Sequence, residues 1–524
     1  MLENFPFYLS LIVVIVLLTM LATKIKVAYP VILVVAGLVI SLIPGIPTLH
    51  IDPELIFFIF LPPLLYEAAW GVSWKEMWRW RRIITSFAFV VVFLTAMSVA
   101  FVANHFIPGF SLVLGFLLGG IVSPPDAVSA GAILKFVKLP RRMSSILEGE
   151  SLLNDASSLI IFRFALIAVA TGQFVWYDAA LSFSWMLIGG VGIGLAIGWA
   201  FMKAHIYLPT DTNMDIILTI VTPYIMYLAA EEVHSSGVLA VVSGGLLLSN
   251  HRHRFLSSTS RLSGVNVWES LSFILNGLVF MLIGLELPEI AAGIEGVSVL
   301  SAIGYGALIT MVLIVGRILS AYGAVMVTRI ASMFITVADP RNPGYQVPLI
   351  LGWTGMRGVV SLAAALSIPT HLPDGSAFPE RNLILFITFI VILLTLLIQG
   401  LTLPILIRRM EIPNFDEDLP ELEVNRIIRK QLAEHALTYL KSNYSQQLSN
   451  QPVLQHLAKK WEQHMVLTDD ELMAEENKLI FLDILNQQRK WLIQINRDEK
   501  MFDERIIRKQ LMYLDLEEEK TTKR

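Results

Sequence analysis

Long apolar runs separated by short polar loops make up the first 410 residues of the chain. A bilayer core about 30 Å thick requires about 20 predominantly apolar residues from each helix that crosses it. This measure predicts thirteen membrane-spanning helices, at residues 5–23, 27–43, 54–71, 83–103, 110–136, 145–171, 183–204, 213–231, 235–250, 268–288, 297–328, 345–368 and 382–408. The predicted fold class is therefore an all-α polytopic membrane protein.

The pattern changes near residue 411, where the linker IPNFDEDLP begins. Beyond it, charged and apolar residues alternate at helical spacing, as in ELEVNRIIRKQLAEHALTYL, which indicates amphipathic helices. We therefore expect a transmembrane domain over residues 1–410 and a cytosolic helical domain over residues 411–524. No motif in the second domain indicates a ligand site.

The composition supports the membrane assignment and excludes other classes of protein. Hydrophobic residues make up 55% of the chain and charged residues only 16%, whereas soluble domains carry about 25% charged residues. The net charge of −4 gives no basic excess that would favour nucleic acid as a partner. The chain has no cysteine, so disulfides, thiolate catalysis and cysteine-based metal sites are excluded.

The loops between the predicted spans alternate in charge. One side carries Lys24, Lys26, Lys75, Arg79, Arg81, Arg82, Lys135, Lys138, Arg141, Arg142, Lys203, Arg252, Arg254, Arg261, Arg329 and Arg341. The other side carries Asp178, Glu231, Glu232 and Glu289, with Arg381 as an exception. Because basic loops remain in the cytoplasm, we expect a multi-pass protein of the plasma (inner) membrane with its N-terminus outside and its C-terminus in the cytoplasm.

The predicted span at residues 145–171 carries charged residues in its middle. Asp155 lies ten residues from the cytoplasmic start of this span, which is about 15 Å along a helix and thus near the membrane midplane. Ser151 lies four residues earlier and shares its helix face. An ionised carboxylate at this depth costs at least about 2.5 kcal/mol. A cation, a proton or an arginine must therefore offset the charge.

Other ionisable residues also lie within apolar runs. Glu67 follows a Pro pair in FIFLPPLLYEAAW, and Asp126 follows another in IVSPPDAVSAG, where the prolines must interrupt a helix. Arg163 lies in the same span as Asp155, Arg317 lies in VLIVGRILSAYG and Arg357 lies in GWTGMRGVVSLAAAL. Packing alone does not require so many acids and arginines at membrane depth.

The fifth and twelfth spans are both interrupted by Gly or Pro, and because they are seven spans apart they cross the membrane in opposite directions. Such a pair in two inverted repeats, here spans one to six and eight to thirteen, indicates a midplane ion site in a secondary transporter. We therefore predict a cation-coupled transporter and not an enzyme. An antiporter and a solute transporter driven by the cation both remain open, and a sodium-dependent uptake assay would separate them.

Several motifs resemble one known family. GESLLNDA resembles the ion-site helix of the monovalent cation/proton antiporters of family one, which includes the animal sodium/proton exchangers and the bacterial NhaP-type antiporters. SPPDAV is similar to the unwound fifth helix of that family, FLPPLLYEA to its third helix, and TGMRGVVSLA to its second broken helix. The resemblance covers roughly residues 5–410 in order and spacing.

The resemblance implies a role for each matching residue. Asp155 is expected to bind either the cation or the proton. The rest of the Na⁺ shell is expected to come from oxygen atoms of Ser151, Glu67, Asp126 and the backbone near Pro125. Asn154 is expected to orient Asp155 by a hydrogen bond.

Three arginines complete the implied site. Glu150 is expected to form a structural ion pair with Arg317. Arg357 resembles a family arginine beside the crossing of the broken helices. Arg163 also has family parallels, and the sequence leaves open whether it only pairs with an acid or a carbonyl.

The implied function is exchange of cytoplasmic Na⁺ for external H⁺ in pH and cation homeostasis, with K⁺ and Li⁺ left open as substrates. The dipeptide Asn154-Asp155 implies electroneutral exchange, although Glu67 is an additional acid. A homodimer is expected, with no cofactor beyond the transported ions. Gly190, Gly194 and Gly198 lie at four-residue spacing, which favours close helix packing, with a dimer face as the alternative.

Overall fold

The structure is a computed structural model that describes residues 5–43, 53–134, 137, 139–172, 176–294, 296–334, 344–410, 421–466, 475–495, 507, 510–511 and 513–518. It contains two compact units, Met1–Phe415 and Asp416–Arg524. The predicted boundary between residues 410 and 411 adjoins segment 411–420, which lies outside the described residues. Also outside them are Lys135, Lys138, Arg341 and the side chains of Arg141 and Asp178.

Every predicted span corresponds to helix in the first unit, so the predicted fold class is confirmed. The helices are α1 (Phe5–Ile25), α2 (Tyr29–Ser41), α3 (Pro53–Gly71), α4 (Trp74–Arg79), α5 (Arg81–Thr85), α6 (Val92–Phe106), α7 (Leu112–Val122), α8 (Ala127–Leu134), α9 (Arg141–Thr171), α10 (Trp176–Tyr207), α11 (Thr212–Glu232), α12 (Gly237–Phe255), α13 (Ser258–Ala292), α14 (Val299–Ala331), α15 (Gln346–Trp353), α16 (Val359–Leu366) and α17 (Arg381–Arg409). A π-helical turn, Ser86–Val91, joins α5 to α6 within the fourth span.

Seven of the described helical segments are long and apolar enough to cross a membrane on their own. The fifth span instead consists of the short helices α7 and α8, and the twelfth of α15 and α16. Both predicted interruptions are therefore present. Only residues 233–236 separate α11 from α12. Ser236 directly precedes α12, and its hydroxyl accepts a hydrogen bond from the amide of Leu239.

The spans of the first unit pack into two groups. The first, which we call the crossing bundle, comprises α5–α9 and α14–α17; the second, the flanking bundle, comprises α1–α3 and α10–α13. In the crossing bundle, α7 packs on α6 and α9 as α15 packs on α14 and α17. In the flanking bundle, α2 packs on α13 and α3 packs on α12. When spans one to six are exchanged for spans eight to thirteen, the contacts of α7 become those of α15, and the α2–α13 pair becomes the α12–α3 pair. Inverted repeats require this correspondence.

The three glycines at four-residue spacing in α10 face α12 of the same chain. A Cβ atom on Gly190 would lie 2.7 Å from the carbonyl oxygen of Ser236, and one on Gly194 would collide with the carbonyl of Ala240. A Cβ atom on Gly198 would lie 3.3 Å from the Cα atom of Gly244. The glycines therefore allow two helices of the flanking bundle to approach closely, as their four-residue spacing predicts.

The second unit contains α18 (Glu421–Asn443), α19 (Ser445–Asn450), α20 (Pro452–Val466) and α21 (Glu475–Ile495). Leu437 and Leu440 of α18 pack against Ala458 of α20 in a small hydrophobic core. Lys441 and Glu462 form an exposed ion pair with an N–O distance of 3.3 Å. The amphipathic pattern of the tail is thus used to pack short helices on one another.

Candidate ion-binding site

The two broken spans meet at their non-helical segments. The segment at residues 123–126 separates α7 from α8, and the segment at residues 354–358 separates α15 from α16. The amide of Asp126 donates to the carbonyl oxygen of Met356 at 2.7 Å. A Cβ atom on Gly358 would collide with the carboxylate of Asp126. Glycine at this position therefore lets the second break approach an acidic side chain of the first.

Arg357 is buried at this crossing with no exposed surface. Its Nε donates to the carbonyl oxygen of Val122 at 2.8 Å and its Nη2 to that of Ser123 at 3.4 Å. Its Nη1 donates to the carbonyl of Gly355. The last carbonyls of a helix lack partners within that helix and carry partial negative charge. One guanidinium thus caps α7 and binds a carbonyl just beyond the end of α15.

A cavity of about 260 Å³ lies between the crossing bundle and the flanking bundle. Asp126, Ser151 and Asp155 of the crossing bundle and Glu67 of the flanking bundle are among the residues that line it. Asp126 also accepts a hydrogen bond from Ser129 at 2.5 Å. Four of the residues expected to bind the ion therefore line one space, although they come from three separate helical spans.

Asp155 itself is only 7% exposed. The neighbouring Asn154 is fully buried, and its Nδ2 is 3.5 Å from the carbonyl oxygen of Pro125. Asn154 therefore links α9 to the break in the fifth span. Ser157 donates to the carbonyl of Ala88 in the π-helical turn, so α9 is also held from the side of the fourth span.

Glu150 and Arg317 form a bidentate ion pair and are not among the residues that line the cavity. Nη1 and Nη2 of Arg317 donate to Oε1 and Oε2 of Glu150 at 2.7 Å and 3.0 Å. Both side chains are at most 3% exposed. The pair joins α9 to α14 and thus lies entirely within the crossing bundle.

Arg163 lies two turns beyond Asp155 on α9, away from the cavity that holds Asp155. It forms an ion pair with Glu231 at the end of α11, whose other oxygen accepts from the amide of Gly237 at 3.2 Å. The pair borders a second cavity of about 410 Å³, which Leu159, Tyr227 and Ser367 also line. This ion pair connects the crossing bundle to the flanking bundle.

Two residues that line the first cavity were missed in the sequence analysis. Glu148 lies seven residues before Asp155 and lines the same cavity; its i, i+7 spacing places both on one helix face. Asn276 of α13 also lines the cavity. A single Asn within the apolar run LSFILNGLVF was the signal that could have identified it.

Comparison with known proteins gives the family. The sodium/hydrogen exchanger transmembrane family model matches residues 10–409. The sodium, potassium, lithium and rubidium/H⁺ antiporter of Bacillus pumilus is 32% identical over 486 residues, covering 90% of this chain and 67% of that protein. The antiporter of the same name from Bacillus subtilis is 36% identical over 386 residues, covering 72% of this chain and 57% of that protein. The chain thus spans under two thirds of the B. subtilis relative's length.

A solved structure supports the fold. The sodium proton antiporter MjNhaP1 from Methanocaldococcus jannaschii superposes with a TM-score of 0.64 at 16% identity, covering 78% of this chain and 98% of that one. The matching family consists of transporters, so the chain is a transporter and not an enzyme. It is a multi-pass membrane protein that belongs to the sodium/hydrogen exchanger family.

Proposed function

We propose that the protein is a secondary active antiporter that exchanges cytoplasmic Na⁺ for external H⁺. The observation that carries the proposal is that Asp155, Asp126, Glu67 and Ser151, four residues with side-chain oxygen atoms, line one cavity between the two bundles. Oxygen ligands suit hard cations. The Bacillus relatives, whose names include Na⁺, K⁺, Li⁺ and Rb⁺, extend the proposed range of substrates to other alkali cations.

Asp155 is the shared site in this proposal. A proton on the carboxyl group or a cation bound to the carboxylate neutralises it, and the two compete for the same oxygen atoms. The empty anion is nearly buried, and moving it through the membrane interior costs at least about 2.5 kcal/mol. The site therefore crosses the barrier when it is loaded with either ion, and exchange occurs without leak of one ion alone.

The neighbouring residues supply the remaining oxygen atoms and hold them in place. Ser151 offers a hydroxyl from the same face of α9, Asp126 a carboxylate from the break, and Glu67 a carboxylate from the flanking bundle. The carbonyl of Pro125 accepts from Asn154 and keeps a second lone pair for the cation. Arg357 and the Glu150–Arg317 pair hold the broken helices and α9 in register.

The exchange is electroneutral, because one carboxylate carries one proton or one monovalent cation.

The protein works as a homodimer in the plasma membrane, with its N-terminus outside and residues 411–524 in the cytoplasm, where the basic loops also lie. Its role is pH and cation homeostasis. Arg163 helps to hold the crossing bundle against the flanking bundle, since its ion pair with Glu231 bridges them.

Proteoliposomes that contain the purified protein test this function. A pH gradient read by an entrapped dye is expected to dissipate on addition of Na⁺, and K⁺ and Li⁺ are added separately to rank the cations. A net charge that moves across 100 mV gains or loses about 2.3 kcal/mol. Because electroneutral exchange moves no net charge, an imposed potential is expected to leave the exchange rate nearly unchanged. Proton movement that requires an organic solute as well as the cation would contradict antiport, and strong acceleration by voltage would contradict electroneutrality.

A further inference from the structure

Asn276 is a buried polar residue whose oxygen has no partner among the described residues. It is 6% exposed, and its Oδ1 accepts no hydrogen bond in the part of the chain that the structure describes. A buried acceptor without a partner is unfavourable, so an isolated Asn is costly here unless something binds it. Asn276 lines the 260 Å³ cavity together with Asp155, so this buried amide and the carboxylate border the same space.

The position of Asn276 in the repeats supports the same interpretation. It lies in the tenth span, which belongs to the second repeat. Its counterpart in the first repeat is the third span, where Glu67 is located. Both residues belong to the flanking bundle and face a cavity whose other walls come from the crossing bundle. Ser272 lies one turn earlier on the same face of α13, and its hydroxyl likewise has no partner among the described residues.

We propose that Asn276 is a further oxygen ligand of the transported cation, and that it determines which alkali cation is bound. This inference rests on the proposed function of the cavity. An amide oxygen is a normal ligand for hard cations. Because it is neutral, it contributes to binding of the cation without adding a charge that would alter the exchange stoichiometry.

Asn276 acts on only one of the two competing ions. A proton bound covalently to Asp155 needs no surrounding shell of oxygen atoms, whereas a cation that has lost its water does. Removal of the amide oxygen is therefore expected to weaken the cation-loaded state and to leave the proton-loaded state largely unchanged. The effect should also differ between cations, since the strength of an oxygen ligand depends on the size of the ion it contacts.

Three variants in the same proteoliposome assay test this inference. In Asn276→Ala, loss of a ligand to a charged group is expected to raise the apparent KM for Na⁺ about tenfold. The maximal rate per folded protein is expected to stay similar, and the KM values for Li⁺ and K⁺ are expected to change by different factors. Asn276→Asp keeps an oxygen at the same position and is expected to retain Na⁺ affinity. Asn266→Ala, an exposed residue of the same helix, is the matched control.

The outcomes separate this inference from the proposed function. If the wild-type protein shows no cation-dependent proton movement, the proposed function fails. If the wild type exchanges ions and Asn276→Ala has the wild-type KM and cation ranking, the Asn276 inference alone is overturned. An equal fall in maximal rate for all cations at constant KM would indicate a structural role and also overturn it. If Asn276→Ala does not fold, the comparison is made with Asn276→Ser, using the Na⁺-dependent rise in Tm as the readout, and an undiminished rise overturns the inference.

Discussion

The two halves of α9 each carry an ion pair, and the pairs differ in burial and in what they join. On one side of Asp155, the Glu150–Arg317 pair is at most 3% exposed and connects two helices of the crossing bundle. On the other side, the side chains of Arg163 and Glu231 are 33% and 27% exposed, and their pair connects the crossing bundle to the flanking bundle. A single helix is therefore fixed to its own bundle at one end and held to the other bundle at the opposite end.

This difference indicates that the pairs serve different purposes. A buried pair inside one bundle keeps two charges satisfied in every state in which the bundle moves as a unit. A pair between bundles is intact only in states in which those two surfaces meet. The second cavity adjoins only the pair that joins the bundles, so we expect that pair, and not the buried one, to respond to the transport cycle.

Removal of one charge from the buried pair should have the largest effect on folding. Glu150→Gln leaves Arg317 buried without a counter-charge, which typically costs about 3–5 kcal/mol. We expect a strong fall in folded yield and in Tm, measured by size-exclusion chromatography after heating in detergent. Glu150→Gln combined with Arg317→Gln is expected to recover part of the loss.

The same substitution in the other pair provides the control. Glu231→Gln affects a pair that is partly exposed, for which about 1 kcal/mol or less is typical. Equal losses of Tm in Glu150→Gln and Glu231→Gln would contradict the distinction between the pairs. A double variant no more stable than the worse of the Glu150 and Arg317 single variants would contradict their pairing.

A smaller effect is expected from Arg163→Gln, and it should alter conformation more than stability. Loss of the link between bundles favours states in which the second cavity is open. The native chain has no cysteine, so Ser367→Cys, at the wall of this cavity, gives one reactive site. We expect an impermeant maleimide to label Cys at this position faster in the double variant Arg163→Gln, Ser367→Cys than in the single variant Ser367→Cys. An unchanged labelling rate would show that the ion pair does not limit access to the cavity.

Much of the fold follows from local sequence signals. The length of each apolar run predicts the span, and Pro124 and Pro125 predict the first break because they cannot continue a helix. The sequence does not reveal the π-helical turn at Ser86–Val91, since no proline or glycine marks it and Ser157 contacts it from a distant span.

The candidate site is less accessible from the sequence. Asp155 and Ser151 are neighbours on one helix, and their spacing alone places them on one face. Asn276 stands out locally as one Asn in an apolar run, but its place in the cavity depends on how α13 packs against α3 and α16, which the sequence does not show. The partner of Arg163 likewise depends on tertiary packing, because Glu231 is 68 residues away along the chain.

The most direct test of the shared-site account is ion exchange by Asp155→Asn in proteoliposomes. The substitution keeps the shape of the side chain and removes both its charge and its titration. We expect the variant to insert and fold normally and to move protons no faster than empty liposomes do, with any of the alkali cations. Asp374→Asn, a change at an exposed position, controls for the chemistry of the substitution and is expected to exchange ions at the wild-type rate. Exchange by folded Asp155→Asn at near the wild-type rate would contradict the account.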